Sequence, residues 1–246
     1  MAGVVLAAGA GDRLRPLTRL RPKVLCPVGD ELLVDHALHR FDGVTSSLAV
    51  NVHHHRDQLE AHLAGRVHIS VEEPVALGTA GALGALREWI DGRPCVVVNG
   101  DTWCPNSLGA LVDGWDGEQL RVLSPSAAPF GPRSKVAGAL LPWSAVAGLA
   151  AEPAGLFEAV WAAAVSEDRL DVVALPKGAP FVDCGTPGDY LAANLAWSGG
   201  ASVIGAGAIV DGIVERSVIW PGAVVRHGER LVDAIRAHTQ MTVLIR

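Results

Sequence analysis

The 246-residue chain is poor in charge, in aromatic residues and in cysteine. Only 19% of its residues are charged and 50% are hydrophobic, whereas disordered chains are rich in charge and poor in apolar residues. Its four cysteines form no C-x-x-C pair, which argues against a disulfide framework and a zinc site and is typical of a cytoplasmic protein. A formal charge of -6 disfavours a non-specific nucleic-acid binder, which needs a cationic surface. The composition predicts a folded protein with a substantial core and no nucleic-acid partner.

The sequence also offers no convincing targeting or membrane segment. The N-terminus lacks the basic region and long apolar core of a secretory signal. The longest uncharged stretch, from Tyr190 to Val210, contains four glycines. A backbone in lipid must satisfy its hydrogen bonds internally, and a glycine-broken segment would not do so. We therefore expect no membrane partner and a cytoplasmic location.

Short apolar runs alternate with helical patterns along most of the chain, which predicts an α/β sandwich. The predicted strands are Val4–Ala8, Leu48–Val52, His68–Glu72, Cys95–Asn99, Leu120–Leu123, Ala137–Leu141, Leu170–Leu175 and Phe181–Asp183. The predicted helices are Leu32–Arg40, Arg56–Leu63, Thr79–Trp89, Ser144–Leu149, Gly155–Ala164 and Gly188–Ala196. Continuously apolar strands imply a sheet covered on both faces, so we expect a Rossmann-like three-layer αβα fold with a mixed, mostly parallel sheet.

The pattern changes near residue 199. Between Ser202 and Val225, aliphatic residues recur about every six positions with Gly or Ala beside them. This spacing is typical of hexapeptide repeats and predicts a short left-handed β-helix of at most two coils; the alternative is a pair of ordinary strands with glycine turns. We therefore predict two domains, residues 1–198 and residues 199–246, and an exposed coil end that could support a homodimer.

The first predicted strand leads into a glycine loop that contains Gly9 and Gly11. The spacing fits neither a Walker loop nor a dinucleotide fingerprint, because no Lys-Ser or Lys-Thr follows and position 14 is leucine. Residues 13–23 carry five of the 20 Lys and Arg residues: Arg13, Arg15, Arg19, Arg21 and Lys23. Glycines let backbone N–H groups approach phosphate oxygens, and cations neutralise them, so the loop predicts a compact polyanionic ligand. The alternative is a solvated basic loop.

Four motifs, in this order along the chain, closely resemble those of the sugar-1-phosphate nucleotidyltransferases. They are Leu-Ala-Ala-Gly-Ala-Gly-Asp-Arg-Leu-Arg-Pro-Leu-Thr at 6–18 with Arg-Pro-Lys-Val-Leu-Cys-Pro-Val at 21–28, Glu-Pro-Val-Ala-Leu-Gly-Thr-Ala-Gly at 73–81, Val-Val-Asn-Gly-Asp at 97–101, and Phe-Val-Asp-Cys-Gly-Thr-Pro-Gly-Asp-Tyr at 181–190. The resemblance extends over nearly the whole chain. It implies attack of a sugar 1-phosphate on the α-phosphorus of a nucleoside triphosphate (NTP), with release of pyrophosphate.

The resemblance also implies roles for individual residues. The nucleotide-binding set is Leu6, Ala8, Gly9, Gly11, Arg13, Glu73, Gly78 and Thr79. The catalytic set is Arg13, Lys23 and Asp101, and the residues for the sugar phosphate are Lys23 and Asp183. Asp101 and Asp183 each follow an apolar run, which predicts two carboxylates on one rim of the sheet, suited to Mg²⁺; Asx turns are the alternative.

The base preference is predicted from one carboxylate. In the family that the chain resembles, a side chain just before the Leu-Gly-Thr element reads the base, and several members carry glutamine there. In this sequence that position is Glu73, or Glu72 if the loop shifts by one residue. A carboxylate only accepts hydrogen bonds, and guanine offers two adjacent donors, which favours GTP. The elements Glu-Pro at 73–74 and Leu-Gly-Thr-Ala-Gly at 77–81 also resemble those of mannose-1-phosphate guanylyltransferases, and this resemblance implies mannose 1-phosphate as the sugar substrate. The alternatives are a uridylyl- or thymidylyltransferase for another sugar 1-phosphate, such as N-acetylmuramate 1-phosphate, and a guanylyltransferase for a heptose phosphate.

One family element is missing. Many members carry a Glu-Lys-Pro element in the middle strand, and residues 120–140 contain none. Arg133 or Lys135 could replace its lysine. The gap keeps open a non-catalytic nucleotide-sugar sensor as a second hypothesis, while the few hexapeptide coils argue against an acyltransferase.

Overall fold

The computed structural model describes residues 1–126, 129–239 and 241–245. The chain divides into two compact units. The first contains residues 1–9, 36–100 and 104–181, and the second contains residues 10–35, 101–103 and 182–246. The predicted domain boundary at residue 199 lies within the second unit and stays a prediction.

Seven strands form one sheet in the first unit. In chain order they are β1 (Ala2–Leu6), β2 (Leu48–Val52), β3 (His68–Val71), β4 (Cys95–Asn99), β5 (Leu120–Ser124), β6 (Gly138–Leu141) and β7 (Leu170–Ala174). Their spatial order is β7-β5-β6-β4-β1-β2-β3. Strand β6 runs antiparallel to both neighbours, and the other neighbouring strands pair in parallel. The sheet is therefore mixed and mostly parallel, as predicted.

The helices are short. The α-helices are α1 (Leu33–His39), α2 (Arg56–Leu63), α3 (Gly78–Ala85), α4 (Arg87–Ile90), α5 (Gly109–Val112), α6 (Trp143–Val146), α7 (Ala162–Ser166) and α8 (Pro187–Trp197). A π-helical turn, Phe157–Trp161, precedes α7, and the 3₁₀ turns are Asp12–Leu14, Leu17–Arg19 and Lys23–Leu25. Among the described residues, none of the helices combines the length and hydrophobicity of a membrane span.

The central strands are buried on both faces. Val4 and Val5 point to opposite sides of β1, and both are fully buried. Val96 and Val97 of β4 also point to opposite sides, and both are buried. Leu83 of α3 and further helix residues pack on one of these faces. This burial explains the continuous apolar runs, and the architecture is Rossmann-like α/β.

The second unit is built from short strands. Three pairs are antiparallel: Pro27–Val28 with Glu31–Leu32, Thr102–Trp103 with Val182–Asp183, and Ala234–His238 with Met241–Leu244. The C-terminal strands are Val203–Ile204, Ile209–Val210, Ile213–Glu215, Val218–Ile219, Val224–Val225, Arg230–Val232, Ala234–His238 and Met241–Leu244. All but the last make parallel pairs with a strand 15 or 17 residues away, for example Val203 with Val218 and Ile213 with Arg230.

The predicted elements all occur, with three corrections. The predicted strand Phe181–Asp183 does not join the main sheet, because its last two residues pair with Thr102–Trp103 instead. The predicted helix Thr79–Trp89 is two helices, α3 and α4, separated at Leu86. The predicted helix Gly155–Ala164 begins as the π-helical turn.

Candidate functional site

A buried lysine joins two carboxylates in the second unit. Lys23 is 7% exposed, and its Nζ lies 2.7 Å from Oδ2 of Asp101 and 3.4 Å from Oδ1 of Asp183. The carboxylate side chains are 36% and 43% exposed. A buried ammonium is costly unless it is paired and hydrogen-bonded, so these contacts explain how Lys23 can be buried. The structure therefore brings together three residues that the sequence predicted to act together.

A short antiparallel pair of strands sets the spacing of the two carboxylates. Thr102 lies opposite Asp183, and the backbone N–H of Cys184 donates to the carbonyl of Asp101 at 3.2 Å. Asp183 is thus held directly against the chain that follows Asp101. The prediction that both carboxylates lie on one rim of the parallel sheet is wrong, because Asp183 belongs to this separate strand pair.

The segment after Lys23 is held by helix α8. The hydroxyl of Tyr190 donates to the carbonyl of Pro27, and the N–H of Gly29 donates to Oδ1 of Asn194 at 3.0 Å. The indole N–H of Trp220 donates to the Tyr190 hydroxyl at 2.9 Å. Helix α8 therefore supports the segment that presents Lys23, and Trp220, which follows the strand Val218–Ile219, supports Tyr190 in turn.

Arg13 belongs to the same charged cluster. A Cβ built on Gly185 would lie 2.9 Å from Nη2 of Arg13 and 3.3 Å from Oδ1 of Asp183. The guanidinium and the carboxylate therefore flank this glycine, and a side chain there would displace one of them. Gly11 has φ +66°, and its carbonyl accepts from the Thr18 hydroxyl at 3.0 Å, which fixes the turn before Arg13.

The other cations of residues 13–23 have different surroundings. Arg15 is exposed and pairs with Asp12 at 2.7 Å. Arg21 lies over the ring of Trp220, 4.6 Å from the centroid, and donates to the carbonyl of Leu25. Sequence proximity therefore overstates the number of cations in the cluster: Arg21 contributes to packing, Lys23 contacts both carboxylates, and Arg13 flanks Gly185 together with Asp183.

The glycine loop begins in the first unit. Leu6 ends β1, and its carbonyl accepts from the N–H of Gly100 at 2.8 Å. Ala8 is buried, whereas Gly9 is exposed and has open space where a Cβ would be. The backbone at Gly9 is accessible, as the predicted contact with phosphate requires.

The two glutamates proposed as base readers differ sharply. Glu72 is 1% exposed; Oε1 accepts from Nδ2 of Asn51, and Oε2 accepts from the N–H of Leu77, both at 2.7 Å. Glu73 is exposed and pairs with Arg56. Both carboxylates therefore have protein partners already, which weakens the argument for guanine.

Helix α3 packs closely on the segment 150–156. The N–H of Leu156 donates to the hydroxyl of Thr79 at 2.7 Å, and a Cβ on Gly78 would lie 2.7 Å from the carbonyl oxygen of Ala154. Gly81 is even closer to that segment, because its Cβ would lie 2.1 Å from the carbonyl oxygen of Glu152. Gly78 and Thr79, predicted to bind nucleotide, thus have a packing role that the motif alone did not indicate.

Arg133 and Lys135 are the candidates for the missing lysine. Lys135 lies over the ring of Phe181, with Nζ 5.9 Å from the centroid, and Arg133 is exposed. Residues 127 and 128 of the same segment lie outside the described residues. Lys135 thus has an aromatic neighbour. The exposure of Arg133 does not indicate that it replaces the missing family lysine.

The cysteines are structural. All four are free and buried. Burial raises the pKa of Cys26 and of Cys184 to about 12, so both are neutral thiols near pH 7. Both therefore serve as small buried residues of the second unit.

Two carboxylates could hold a divalent cation. Asp101 and Asp183 supply hard oxygen atoms, and Mg²⁺ is usually bound by one or two carboxylates together with substrate phosphates. In the described part of the chain, no group of three or more His, Cys, Asp or Glu side chains is arranged to hold a metal. The donor set therefore fits Mg²⁺ that is shared with a phosphate ligand.

Comparisons with known proteins agree with this picture. Residues 2–123 match the family model described as nucleotidyl transferase. An N-acetylmuramate alpha-1-phosphate uridylyltransferase from Caulobacter vibrioides is 39% identical over 132 residues, which cover 48% of this chain and 54% of the relative. A mannose-1-phosphate guanyltransferase from Debaryomyces hansenii is 35% identical over 126 residues, which cover 46% of this chain and 34% of the relative.

A solved structure supports the fold. A Bacillus anthracis protein assigned as a glucose-1-phosphate thymidylyltransferase matches with a TM-score of 0.68 at 19% identity, over 80% of this chain and 94% of that chain. At this identity the likeness shows the fold alone. The curated relatives are matched over about half of their length or less.

Proposed function

The chain belongs to the nucleotidyl transferase family, and from that membership we propose that it transfers a nucleoside monophosphate from an NTP to a sugar 1-phosphate. A phosphate oxygen of the sugar 1-phosphate attacks the α-phosphorus. A new phosphorus–oxygen bond forms, and the bond to the β-phosphate breaks, so that pyrophosphate leaves. The products are a nucleoside diphosphate sugar and pyrophosphate.

The contact of Lys23 with Asp101 and Asp183 carries the proposal. An ammonium has three N–H donors, and two of them are directed to these carboxylates. We assign the third to the phosphate oxygens of the reacting groups, whose charge it stabilises during transfer. Phosphoryl transfer depends mostly on positioning and on charge stabilisation, which a fixed ammonium provides.

Arg13 completes the charged set. Its guanidinium lies beside Asp183 and is exposed, so it can reach a ligand. A guanidinium suits two oxygen atoms at once, and we assign it to the phosphates of the leaving pyrophosphate. Gly9 and Gly11 supply accessible backbone and the tight turn that precedes Arg13.

We propose Asp101 and Asp183 as the residues that would hold Mg²⁺. When bound, such an ion neutralises phosphate charge and holds the phosphates in register. Asp183 is also the residue we assign to the side of the sugar phosphate, together with Lys23. Both carboxylates are partly exposed, which leaves them accessible to a ligand.

For the base we favour UTP over GTP. Guanine would need a carboxylate with free acceptors, but both oxygens of Glu72 are occupied and Glu73 pairs with Arg56. The Caulobacter relative is named as acting on N-acetylmuramate 1-phosphate with uridylyl transfer, and we propose the same substrates for this chain. GTP with mannose 1-phosphate is the second candidate, because the Debaryomyces relative is a mannose-1-phosphate guanyltransferase.

We also propose that the C-terminal strands form the short left-handed hexapeptide β-helix. The parallel pairs with a repeat of 15 or 17 residues support coils of nearly constant length. The cytoplasmic location and the homodimer stay predictions from the sequence.

The test is pyrophosphate release from a matrix of UTP, GTP, dTTP, CTP and ATP against several sugar 1-phosphates, with and without Mg²⁺. We expect release that needs Mg²⁺ and is fastest with UTP and N-acetylmuramate 1-phosphate. Release with GTP and mannose 1-phosphate alone would reverse the base preference within the same reaction. If calorimetry showed nucleotide binding but all pairs failed to react, the nucleotide-sugar sensor would replace the enzyme.

A further inference from the structure

Two buried polar side chains connect the glycine loop to the loop before helix α3. The N–H of Ala7 donates to Oδ1 of Asn51 at 2.6 Å, and Nδ2 of Asn51 donates to Oε1 of Glu72 at 2.7 Å. Oε2 of Glu72 then accepts from the N–H of Leu77 at 2.7 Å. Asn51 is 3% exposed and Glu72 is 1% exposed. A continuous series of three hydrogen bonds therefore joins Ala7 to Leu77, within the first unit.

This series has a fixed direction. The N–H of Ala7 can only donate, so the amide oxygen of Asn51 must face it and the amide nitrogen must face Glu72. Leu77 also presents an N–H. Glu72 therefore has to accept at both oxygens, which an ionised carboxylate does and a neutral amide cannot.

The backbone of residue 72 is fixed as well. Its N–H donates to the carbonyl of Val52 at 2.9 Å, and its carbonyl lies 2.8 Å from Nδ1 of His53. Strands β2 and β3 therefore hold the peptide groups of Glu72, and its carboxylate reaches from that support to the two other partners. Burying a carboxylate is costly unless it is hydrogen-bonded, so this arrangement is demanding to build.

We propose that Asn51 and Glu72 are positioning residues, which hold the glycine loop and the Leu77 loop in one preformed geometry for the nucleotide. The connection between the loops is independent of the reaction, whereas its value for nucleotide binding rests on the proposed function. Glu72 is thereby assigned an indirect role: it does not read the base but fixes the backbone of two loops that the sequence motifs place at the nucleotide.

The sharpest test exchanges the two functional groups. Asn51→Asp alone places two carboxylates next to each other with no hydrogen between them. Glu72→Gln alone places two N–H donors next to each other, because an amide has only one accepting oxygen for its two partners. The double variant Asn51→Asp with Glu72→Gln restores all three bonds. Its carboxylate at position 51 accepts from the N–H of Ala7 and from the amide group at position 72, whose oxygen accepts from the N–H of Leu77. The double variant also keeps the net charge of the wild type. From the donors and acceptors, we expect each single change to break hydrogen bonds of the series and the double change to restore them.

Nucleotide affinity is the first measurement. We expect each single variant to raise the dissociation constant for UTP, and for GTP if it binds, about tenfold or more, because a buried hydrogen-bonding group is left unsatisfied. The KM for the sugar 1-phosphate should change by less than about threefold. The double variant should return to within about threefold of the wild type. Glu88→Gln, the same chemical change at an exposed residue of α4, is the matched control and should have no effect.

Hydrogen–deuterium exchange of the free protein is the second measurement. Amide exchange in residues 5–9 and in residues 75–80 should accelerate together in each single variant and return to the wild-type rate in the double variant. Acceleration in one segment only, or no repair in the double variant, would overturn the connection. Faster exchange with unchanged UTP affinity would overturn the positioning role.

Failure of the proposed function gives a different pattern. A wild type that binds neither UTP nor GTP and releases no pyrophosphate would refute the nucleotidyl transfer, yet the exchange measurement would still decide whether the two loops are connected. Should a single variant fail to fold, the double variant alone decides: a folded double variant with wild-type exchange supports the connection, and an unfolded one overturns it.

Discussion

The two units present their polar residues by different physical means. In the first unit, Asn51 and Glu72 are almost completely buried and bind backbone N–H groups through hydrogen bonds of fixed direction. In the second unit, Lys23 binds two carboxylates that are partly exposed. The comparison suggests a division of work, in which the first unit fixes the shape of backbone loops and the second presents charge.

The largest expected effect comes from removing the charge of Lys23. Lys23→Met keeps the length of the side chain but leaves Asp101 and Asp183 without their shared cation. Loss of one preorganised donor to a reacting phosphate should lower kcat by about 10²–10³. Steady-state pyrophosphate release measures it, with Lys177→Met as the exposed control. A kcat within about threefold of the wild type would show that the lysine is structural.

Substitution of a glycine in helix α3 tests how closely this helix packs on the segment 150–156. Alanine at a helix interior normally stabilises by about 1 kcal/mol relative to glycine. At Gly81 the new Cβ would lie 2.1 Å from the carbonyl oxygen of Glu152, so we expect Gly81→Ala to destabilise by about 2 kcal/mol. Urea unfolding measures the change. Gly131→Ala, where the Cβ would meet open space, is the control, and equal midpoints for the two variants would contradict the close packing.

The buried thiols predict a loss of stability at alkaline pH in both units. Burial raises the pKa of Cys95 in the first unit, and of Cys26 and Cys184 in the second, from 9.0 to about 12. Below pH 9 the thiols are neutral in the folded and unfolded states alike. Above pH 9 they ionise only when unfolded, so each thiol should lower the free energy of unfolding by about 1.4 kcal/mol per pH unit until the pH approaches 12.

Single alanine variants separate the thiols of the two units. Cys95→Ala and Cys26→Ala should each reduce the slope of unfolding free energy against pH between about pH 9.5 and 10.5. The reduction is measured by urea unfolding at several pH values. An unchanged slope in either variant would mean that its thiol ionises in the folded protein as readily as in the unfolded chain.

The smallest expected effect concerns the support of Lys23. Trp220→Phe removes the indole N–H that donates to Tyr190 but keeps a ring beneath Arg21. We expect a loss of about 1 kcal/mol in the free energy of unfolding. Trp115→Phe removes an exposed indole N–H bond to the carbonyl of Gln119 and should cost less. Greater loss in Trp115→Phe would argue against the buried support.

The sequence predicted the charged cluster well, because charge is rare in this chain. Only three lysines occur, and Lys23 stands out beside a glycine loop. The residues Arg13, Asp101 and Asp183 belong to motifs that resemble a known family. The structure places both carboxylates at Lys23, and it places Arg13 and Asp183 on Gly185. The sequence misplaced Asp183 because a two-residue strand pair depends on a partner far away in the chain.

The connection through Asn51 and Glu72 could not be predicted in the same way. Both residues lie at strand ends, where polar residues are common, and nothing in their spacing shows which backbone N–H each will bind. The sequence motif offers Glu72 as an alternative base reader, and the burial of its carboxylate argues against that role. The packing of Gly81 against Glu152 was likewise hidden, because the two residues are far apart in the chain and the contact is between backbone groups.

The most direct test of the Lys23 cluster compares two carboxylate variants in pyrophosphate release with UTP and N-acetylmuramate 1-phosphate. Asp101→Asn removes the carboxylate that lies 2.7 Å from Lys23, and Asp171→Asn removes one that pairs with Arg121 at 2.6 Å in the first unit. We expect Asp101→Asn to lower kcat by about 10²–10³ and Asp171→Asn to stay within about threefold of the wild type. Equal rates in the two variants would contradict the assignment of the Lys23 cluster as the centre of nucleotidyl transfer.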